Sequence, residues 1–293
     1  MSIQNRFTAG RCTIASAVYP VIGFGIAPNV IAEHVNHSGL VNSTQVLVAG
    51  TDLQRLTLRT PLQAVASALG LVPTVQDTVA AVFARTRGGL VESGTVHQVY
   101  SVASEATVWI DEWSVTEGEA AVATVAIDAY SADGDAEPWD KDAGALPALS
   151  AAAVHHGIGP VVINGTAIPQ VTGISYRSGL SVAANRVSGL PVPAGGVISG
   201  LQQEITIDVS DAQAAWQALG GKGVALSGGG AVINLYRYAP ANGILDSTGQ
   251  MTFTATAGFA SMGENQADHG QIGSGSITIR ATSDGAASGF VVS

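Results

Sequence analysis

The chain repeats itself. Displaced by about 150 residues, Ser38-Gly39-Leu40 falls on Ser188-Gly189-Leu190, and Gly50 falls on Gly200. Gln63-Ala64 meets Gln213-Ala214, and Ala68-Leu69-Gly70 meets Ala218-Leu219-Gly220. That is about nine identities between residues 38 and 70 without a gap. Upstream, Gly23 faces Gly173. Downstream, after small insertions, GLVES (Gly89–Ser93) matches GILDS (Gly243–Ser247), and Phe83-Ala84-Arg85 faces Leu235-Tyr236-Arg237. Near each end TVAIDAYSADG (Thr124–Gly134) matches SITIRATSDG (Ser276–Gly285). Ala and Gly coincide often by chance, but chance does not keep matches in order. A duplication restricts the fold to a unit of roughly 150 residues that builds its own core.

Local signals recur with the same spacing. Thr60-Pro61-Leu62-Gln63 and Ser210-Asp211-Ala212-Gln213 both read as capping boxes, with a hydroxyl at the cap and Gln reaching back. Pro61 and Asp211 suit a first helical turn through fixed φ and through the helix dipole respectively. Gly70 and Gly220 suit the left-handed position after a helix. Before each predicted helix the sequence alternates. Leu53, Arg55 and Thr57 lie on one side and Leu56 and Leu58 on the other, and Ile205, Ile207 and Val209 share a face. Strands are expected at 79–85 and 231–238, 96–102 and 250–256, and 121–131 and 274–283. One or two more are expected in 18–31 and 160–175.

Residues 39–50 and 189–200 read as long loops. DGDAEPWDKDAGALPALS (Asp133–Ser150) gathers acids, glycines and prolines and reads as a linker. The expected fold is mainly β: two tandem antiparallel sandwich or barrel domains, each with one short flanking helix. The first would cover 1–150, with 133–150 as linker, and the second 151–293.

Composition narrows the function. Charged residues are 12% and hydrophobic residues 46%, the latter largely Ala and Val. So few charges hint that much surface is buried against neighbours. Net charge is −10, from 22 acids and 12 bases, and the tightest basic group is Arg85 with Arg87. Sequence-reading contact with nucleic acid needs clustered bases and is not expected. Cys12 is the single cysteine, so no internal disulfide is possible, in keeping with a reducing cytoplasm. No signal-peptide core or uncharged apolar run of spanning length occurs, and membrane insertion is not expected.

No constellation of nucleophile, base and orienting group emerges, and no catalytic, cofactor-binding or metal-ligating residue is expected. His34 and His37 could share a helical face, but Asn29, Asn36 and Ser38 make the stretch loop-like. His155 and His156 would point to opposite sides of an extended chain. His97 and His269 complete the six histidines, and no pair has the HExxH arrangement. Gly220-Gly221-Lys222-Gly223 follows a helix, the wrong end for anion binding, and Ser227–Gly230 lacks the Walker Lys-Ser/Thr. Alternation puts Trp109, Asp111 and Trp113 on one side of a strand, a pattern open to a sugar-binding platform or, more commonly, to a core or interface. Asp128 and Arg280 occupy matching positions.

A tandem domain with few charges and no site suits a building block. Adjacent copies in one chain can occupy neighbouring places in a ring, and three chains supply six quasi-equivalent positions. In its strand–helix–strand core, its long loops from Gly39 and Gly189, and its closing strands ending at Asp-Gly, the chain resembles the tail tube proteins of long-tailed phages. The resemblance implies trimeric rings of pseudo-sixfold symmetry, stacked into a channel in the virion tail and assembled in the host cytoplasm. The implied partners are further copies, baseplate, tail terminator and tape measure proteins. Double-stranded DNA would pass without specific binding, along a wall where acids outnumber bases. Two rival readings are a baseplate hub or tube initiator, and a carbohydrate-binding or decoration protein of the virion.

Overall fold

Strands form where inward positions alternate with polar ones. In Glu204–Val209, Ile205, Ile207 and Val209 are at most 1% exposed, while Glu204, Thr206 and Asp208 face outward. The computed structural model describes residues 6–27, 30–35, 45–51, 53–87, 90–91, 97–150, 154–187, 189–263, 273–283 and 288–293. It is mainly β, built from antiparallel sheets with two helices among the described residues.

The first half opens with β1 (Arg6–Ile14), β2 (Ala17–Pro20) and β3 (Gly23–Ala27), then β4 (Val30–Val35) and β5 (Gln45–Thr51). Strand β6 (Gln54–Pro61) runs into helix α1 (Leu62–Leu69), followed by β7 (Thr74–Gln76), β8 (Val79–Arg87), β9 (Leu90–Val91) and β10 (His97–Val102). β11 (Glu105–Thr116), β12 (Val122–Tyr130) and β13 (Trp139–Gly144) complete it. The second half begins with β14 (His156–Ile163), β15 (Thr166–Ile168), β16 (Val171–Arg177), β17 (Ser181–Asn185) and β18 (Gly195–Gly200). β19 (Glu204–Val209) leads into α2 (Ala212–Leu219), then β20 (Gly223–Ala225) and β21 (Ala231–Tyr238). β22 (Leu245–Ala255), β23 (Gly258–Met262), β24 (Gly275–Ala281) and β25 (Val291–Val292) close the chain.

The ladders follow one pattern twice. In the first half β1 pairs with β2 and β8, and β10 with β8 and β13. β11 pairs with β7 and β12, β6 with β12 and β3, and β4 with β5. In the second half β14 pairs with β15 and β21, and β22 with β21 and β25. β23 pairs with β20 and β24, β19 with β24 and β16, and β17 with β18. Each of the nine ladders has its counterpart. The β1–β8 and β14–β21 ladders even share a register break, at Thr8/Arg11 and Ile158/Val161. The first half adds the short β8–β9 ladder.

One further ladder, β11 to β16, fuses the halves into a ten-stranded sheet. Its inward face meets Cys12, Ile14, Ala81 and Phe83 of the six-stranded sheet and Ile163, Ile233 and Phe253 of the five-stranded sheet in one buried cluster. Helix α1 buries Leu62, Val65, Ala66 and Leu69 on that cluster, and α2 buries Ala212, Ala215 and Leu219. Each large apolar side chain so removed from water contributes about 2 kcal/mol.

Three expectations change. The helices begin one residue after the predicted boxes. Thr60 is the last inward position of β6 and its hydroxyl has no hydrogen-bond partner, while Ser210 donates to Gln170 Oε1 at 3.0 Å. The helix caps are Pro61, which offers no side-chain bond, and Asp211, whose carboxylate accepts from Ala214 N at 2.9 Å. The stops at Gly70 and Gly220 both take positive φ, 63° and 80°, but only Gly220 adopts the expected left-handed helical conformation, since Gly70 has ψ −155°. Part of the expected linker is a strand: β13 pairs with β10, and Trp139 is buried with its indole N–H on the Gln54 carbonyl at 3.3 Å. Before it, Asp133 ties down a turn by accepting from the Ala136 and Asp135 amides and the Ser131 hydroxyl, which lowers its pKa to about 2. The expected loops contain strands as well, since β5 and β18 fall within 45–51 and 195–200.

Candidate functional site

The sequence pointed to Trp109 and Trp113 as a possible exposed pair, and the structure separates them. The register of β11 against β12 shifts between Ile110 and Glu112. A bulge at Asp111 inserts one residue and breaks the alternation. Trp109 stays on the polar face of the sheet, 2% exposed, under the Arg55 guanidinium at 4.8 Å, and donates to Asp111 Oδ1 at 3.2 Å. Trp113 turns into the core, 1% exposed, its ring 4.6 Å from Phe253 and 6.1 Å from Tyr176. No sugar-binding platform exists here. Alternation failed at one residue, and nothing in the sequence announces a bulge at an aspartate.

Among the described residues no three His, Cys, Asp or Glu side chains are grouped closely enough to hold a metal ion. His155 is exposed and His156 buried, as adjacent positions of an extended chain require. His97 is buried, and the side chains of His34, His37 and His269 lie outside the described residues, as do those of Arg85 and Arg87. Gly220 ends α2, and Gly228, Gly229 and Gly230 form a positive-φ turn before β21.

What the geometry does build is a joint between the halves. The first part of β11 pairs with β7 of its own half, through Ala106–Val108, and the part beyond the bulge pairs with β16, through Glu112–Thr116. The bulge is itself anchored across the joint, because Ser178 N donates to the Asp111 carbonyl at 2.8 Å and Ser178 Oγ to its carboxylate at 3.1 Å. Gln203, 4% exposed, donates to the Leu71 carbonyl at 2.8 Å and to the Tyr176 hydroxyl at 3.0 Å. The loop following β18's hairpin partner reaches the first half, with Ser131 N on the Pro193 carbonyl at 3.0 Å and Val192 N on the Gly134 carbonyl at 2.9 Å. A strand of one half therefore supplies an aromatic side chain to the core of the other.

Among the described residues the ten-stranded sheet ends in β3 at one side and in β20, beyond β23, at the other. Among the described strands, β3 pairs with β6 alone, and β23 with β20 and β24. Each carries an exposed phenylalanine, Phe24 at 45% and Phe259 at 48%. Unpaired strand edges and exposed aromatics invite another chain.

The outward face of the sheet is rich in Ser and Thr, with charges of both signs: Arg55, Arg59, Arg177 and Arg280 against Glu105, Glu112, Asp128, Glu204 and Asp208. Some are neutralised in pairs. Arg55 clamps the fully buried Asp128 with two bonds of 2.8 Å, and Arg280 meets Glu204 at 3.1 Å. These pairs sit at counterpart positions with the signs exchanged, since Arg55 opposes Asp128 across β6–β12 and Glu204 opposes Arg280 across β19–β24. Burial raises the Asp208 carboxyl above its usual range. No helix is long and apolar enough to cross a membrane among the described residues. No known family model matches the chain, and no curated protein sequence matches it.

Proposed function

We propose that the chain is a structural subunit made of two tandem copies of one β domain, 1–150 and 151–293, and that its role is assembly, not catalysis. In this reading the copies occupy adjacent places in a ring, three chains close it with pseudo-sixfold symmetry, and rings stack into a tube like that of a long-tailed phage. The observation that carries the reading is the β11–β16 ladder. It joins two halves of matching strand pairing edge to edge, while β3, the counterpart of β16, pairs with β6 alone among the described strands.

The outward face of the ten-stranded sheet would line the channel. A wall of Ser, Thr and charges of both signs, some of them paired, without a cluster of bases among the described residues, attracts phosphate weakly and suits passage of DNA better than retention. Negative-stain electron microscopy of the purified protein tests the reading. Rings or tubes with threefold or apparent sixfold symmetry support it. Monomers that persist at high concentration, with or without a hydrolytic activity, overturn it.

A further inference from the structure

Asn-Gly occurs twice in the chain, at Asn164-Gly165 and Asn242-Gly243. A glycine after asparagine leaves the next amide nitrogen unshielded by a side chain, so that nitrogen can reach the asparagine side-chain carbon. The fold holds the two dipeptides differently. Asn164 sits in the two-residue turn that joins β14 to β15, with φ 49°. Both ends of its amide are engaged: Nδ2 donates to the Ala225 carbonyl at 2.9 Å, and Oδ1 accepts from Ser227 N at 2.8 Å. Asn242 lies in the turn between β21 and β22, where residues 240–250 are all exposed. Its Oδ1 accepts from Ile244 N at 3.0 Å, while its Nδ2 has no hydrogen-bond partner among the described residues. The space around Gly243 is open, since even a Cβ there would meet nothing within 4 Å.

We infer that Asn242 is a self-modifying site, where the Gly243 nitrogen attacks the Asn242 side-chain carbon and expels ammonia, while Asn164 keeps its amide. A base from solvent takes the Gly243 N–H proton as the N–Cγ bond forms. Charge then collects on Oδ1, where the Ile244 N–H already donates and stabilises it. The Cγ–Nδ2 bond breaks, the nitrogen takes a proton from water and departs, and a cyclic imide remains. Water adds to either imide carbonyl and reopens the ring, to aspartate by one route and to isoaspartate by the other. Overall one water is consumed and one ammonia released, with no change of oxidation state. The Gly243 N–H must first leave the Ala239 carbonyl, which it meets at 2.8 Å and which also takes the Asn242 N–H at 3.3 Å. In an exposed turn water replaces that bond at small cost. At Asn164 both bonds of the amide must break before the side chain can turn toward Gly165. Each conversion adds a negative charge at the tip of the β21–β22 hairpin, and isoaspartate also adds a carbon to its backbone. The turn, closed by Ala239 N on the Ile244 carbonyl at 2.8 Å, thus records the age of the chain. The reaction needs no second chain and is indifferent to whether rings form.

The test is peptide mapping by mass spectrometry of the unaltered protein, aged in mildly alkaline buffer made with heavy-oxygen water, which labels each conversion. Expected is labelled acid at position 242, formed about tenfold faster than at position 164, the factor that one further hydrogen bond to be broken imposes. Asn242→Asp supplies the aspartyl product for chromatography, from which the isoaspartyl peptide elutes apart. In denaturant the two positions should convert at similar rates, because the contrast comes from the fold. Native conversion at 164 as fast as at 242 overturns the assignment. So does an amide at 242 that persists in the native protein while the denatured chain converts there. A tenfold preference that survives in denaturant overturns it as well, since local sequence and not the turn would then choose the site.

Discussion

Replacing Trp113 with alanine measures how far one half depends on the other. The indole is 1% exposed and stacked on Phe253 and Tyr176, although its strand belongs to the first half. Burying a tryptophan removes about 200 Å² from water, which at about 25 cal/mol/Å² is worth roughly 5 kcal/mol before alanine's own share is subtracted. A partly collapsed cavity brings truncations of this kind to about 3–5 kcal/mol. The indole N–H has no hydrogen-bond partner, and relieving that buried donor offsets about 1–2 kcal/mol. The expected loss is about 3 kcal/mol by urea titration, against less than about 1.5 kcal/mol for Trp113→Phe. Hydrogen exchange locates it: protection should fall first in 171–177 and 251–255, in the second half. A loss below about 1 kcal/mol, or protection lost first in 79–87, refutes the claim that β11 completes its neighbour's core.

The two charge pairs should behave differently despite their matching places. Arg55→Ala strands the fully buried Asp128 carboxylate and should cost about 3–5 kcal/mol, whereas Arg280→Ala, exposed beside Glu204, should cost under about 1 kcal/mol by the same titration. Burial, aided by the nearby Arg237 charge, lowers the His156 pKa below the usual 6.5, outweighing its bond to the Gly249 carbonyl. The folded state then binds fewer protons than the unfolded one, so this contribution is complete above about pH 6.5 and fades as the pH falls below it. His156→Gln should flatten the loss of stability between about pH 7 and 5, and an unchanged profile would show that the imidazole is not its source. The Cys12 thiol is buried and its pKa is pushed well up, so a thiol reagent should find no reactive group in the native protein and one per chain after denaturation.

The repeat was legible because it is written in local signals, in helix stops at Gly70 and Gly220 and in alternation such as Ile205-Ile207-Val209. Those features need no partner beyond a few residues away. Strand β1 and the hairpins β4–β5 and β17–β18 were less visible, since Gly- and Asn-containing stretches read as loops until a paired strand supplies hydrogen bonds. Strand β13 was hidden behind linker composition; its acids point outward and only Trp139 marks its buried end. The joint was not legible at all. It depends on the Asp111 bulge and on Gln203, a residue of ordinary sequence context that joins Leu71 and Tyr176 with one amide while accepting from Gly289 N at 2.7 Å and Ser288 Oγ at 2.8 Å with its oxygen.

The exchanged signs of the Arg55–Asp128 and Glu204–Arg280 pairs bear on how the chain reaches this state. Two halves with interchangeable strands risk trading them during folding, a familiar failure of tandem repeats. Were β6 to settle against β24 and β19 against β12, Arg55 would confront Arg280 and Glu204 would confront Asp128. Each mispaired sheet would then hold two like charges face to face, one of them at a site that excludes water. The polarity of these two crossbars thus disfavours exchange of the sister strands, chiefly at the buried Asp128.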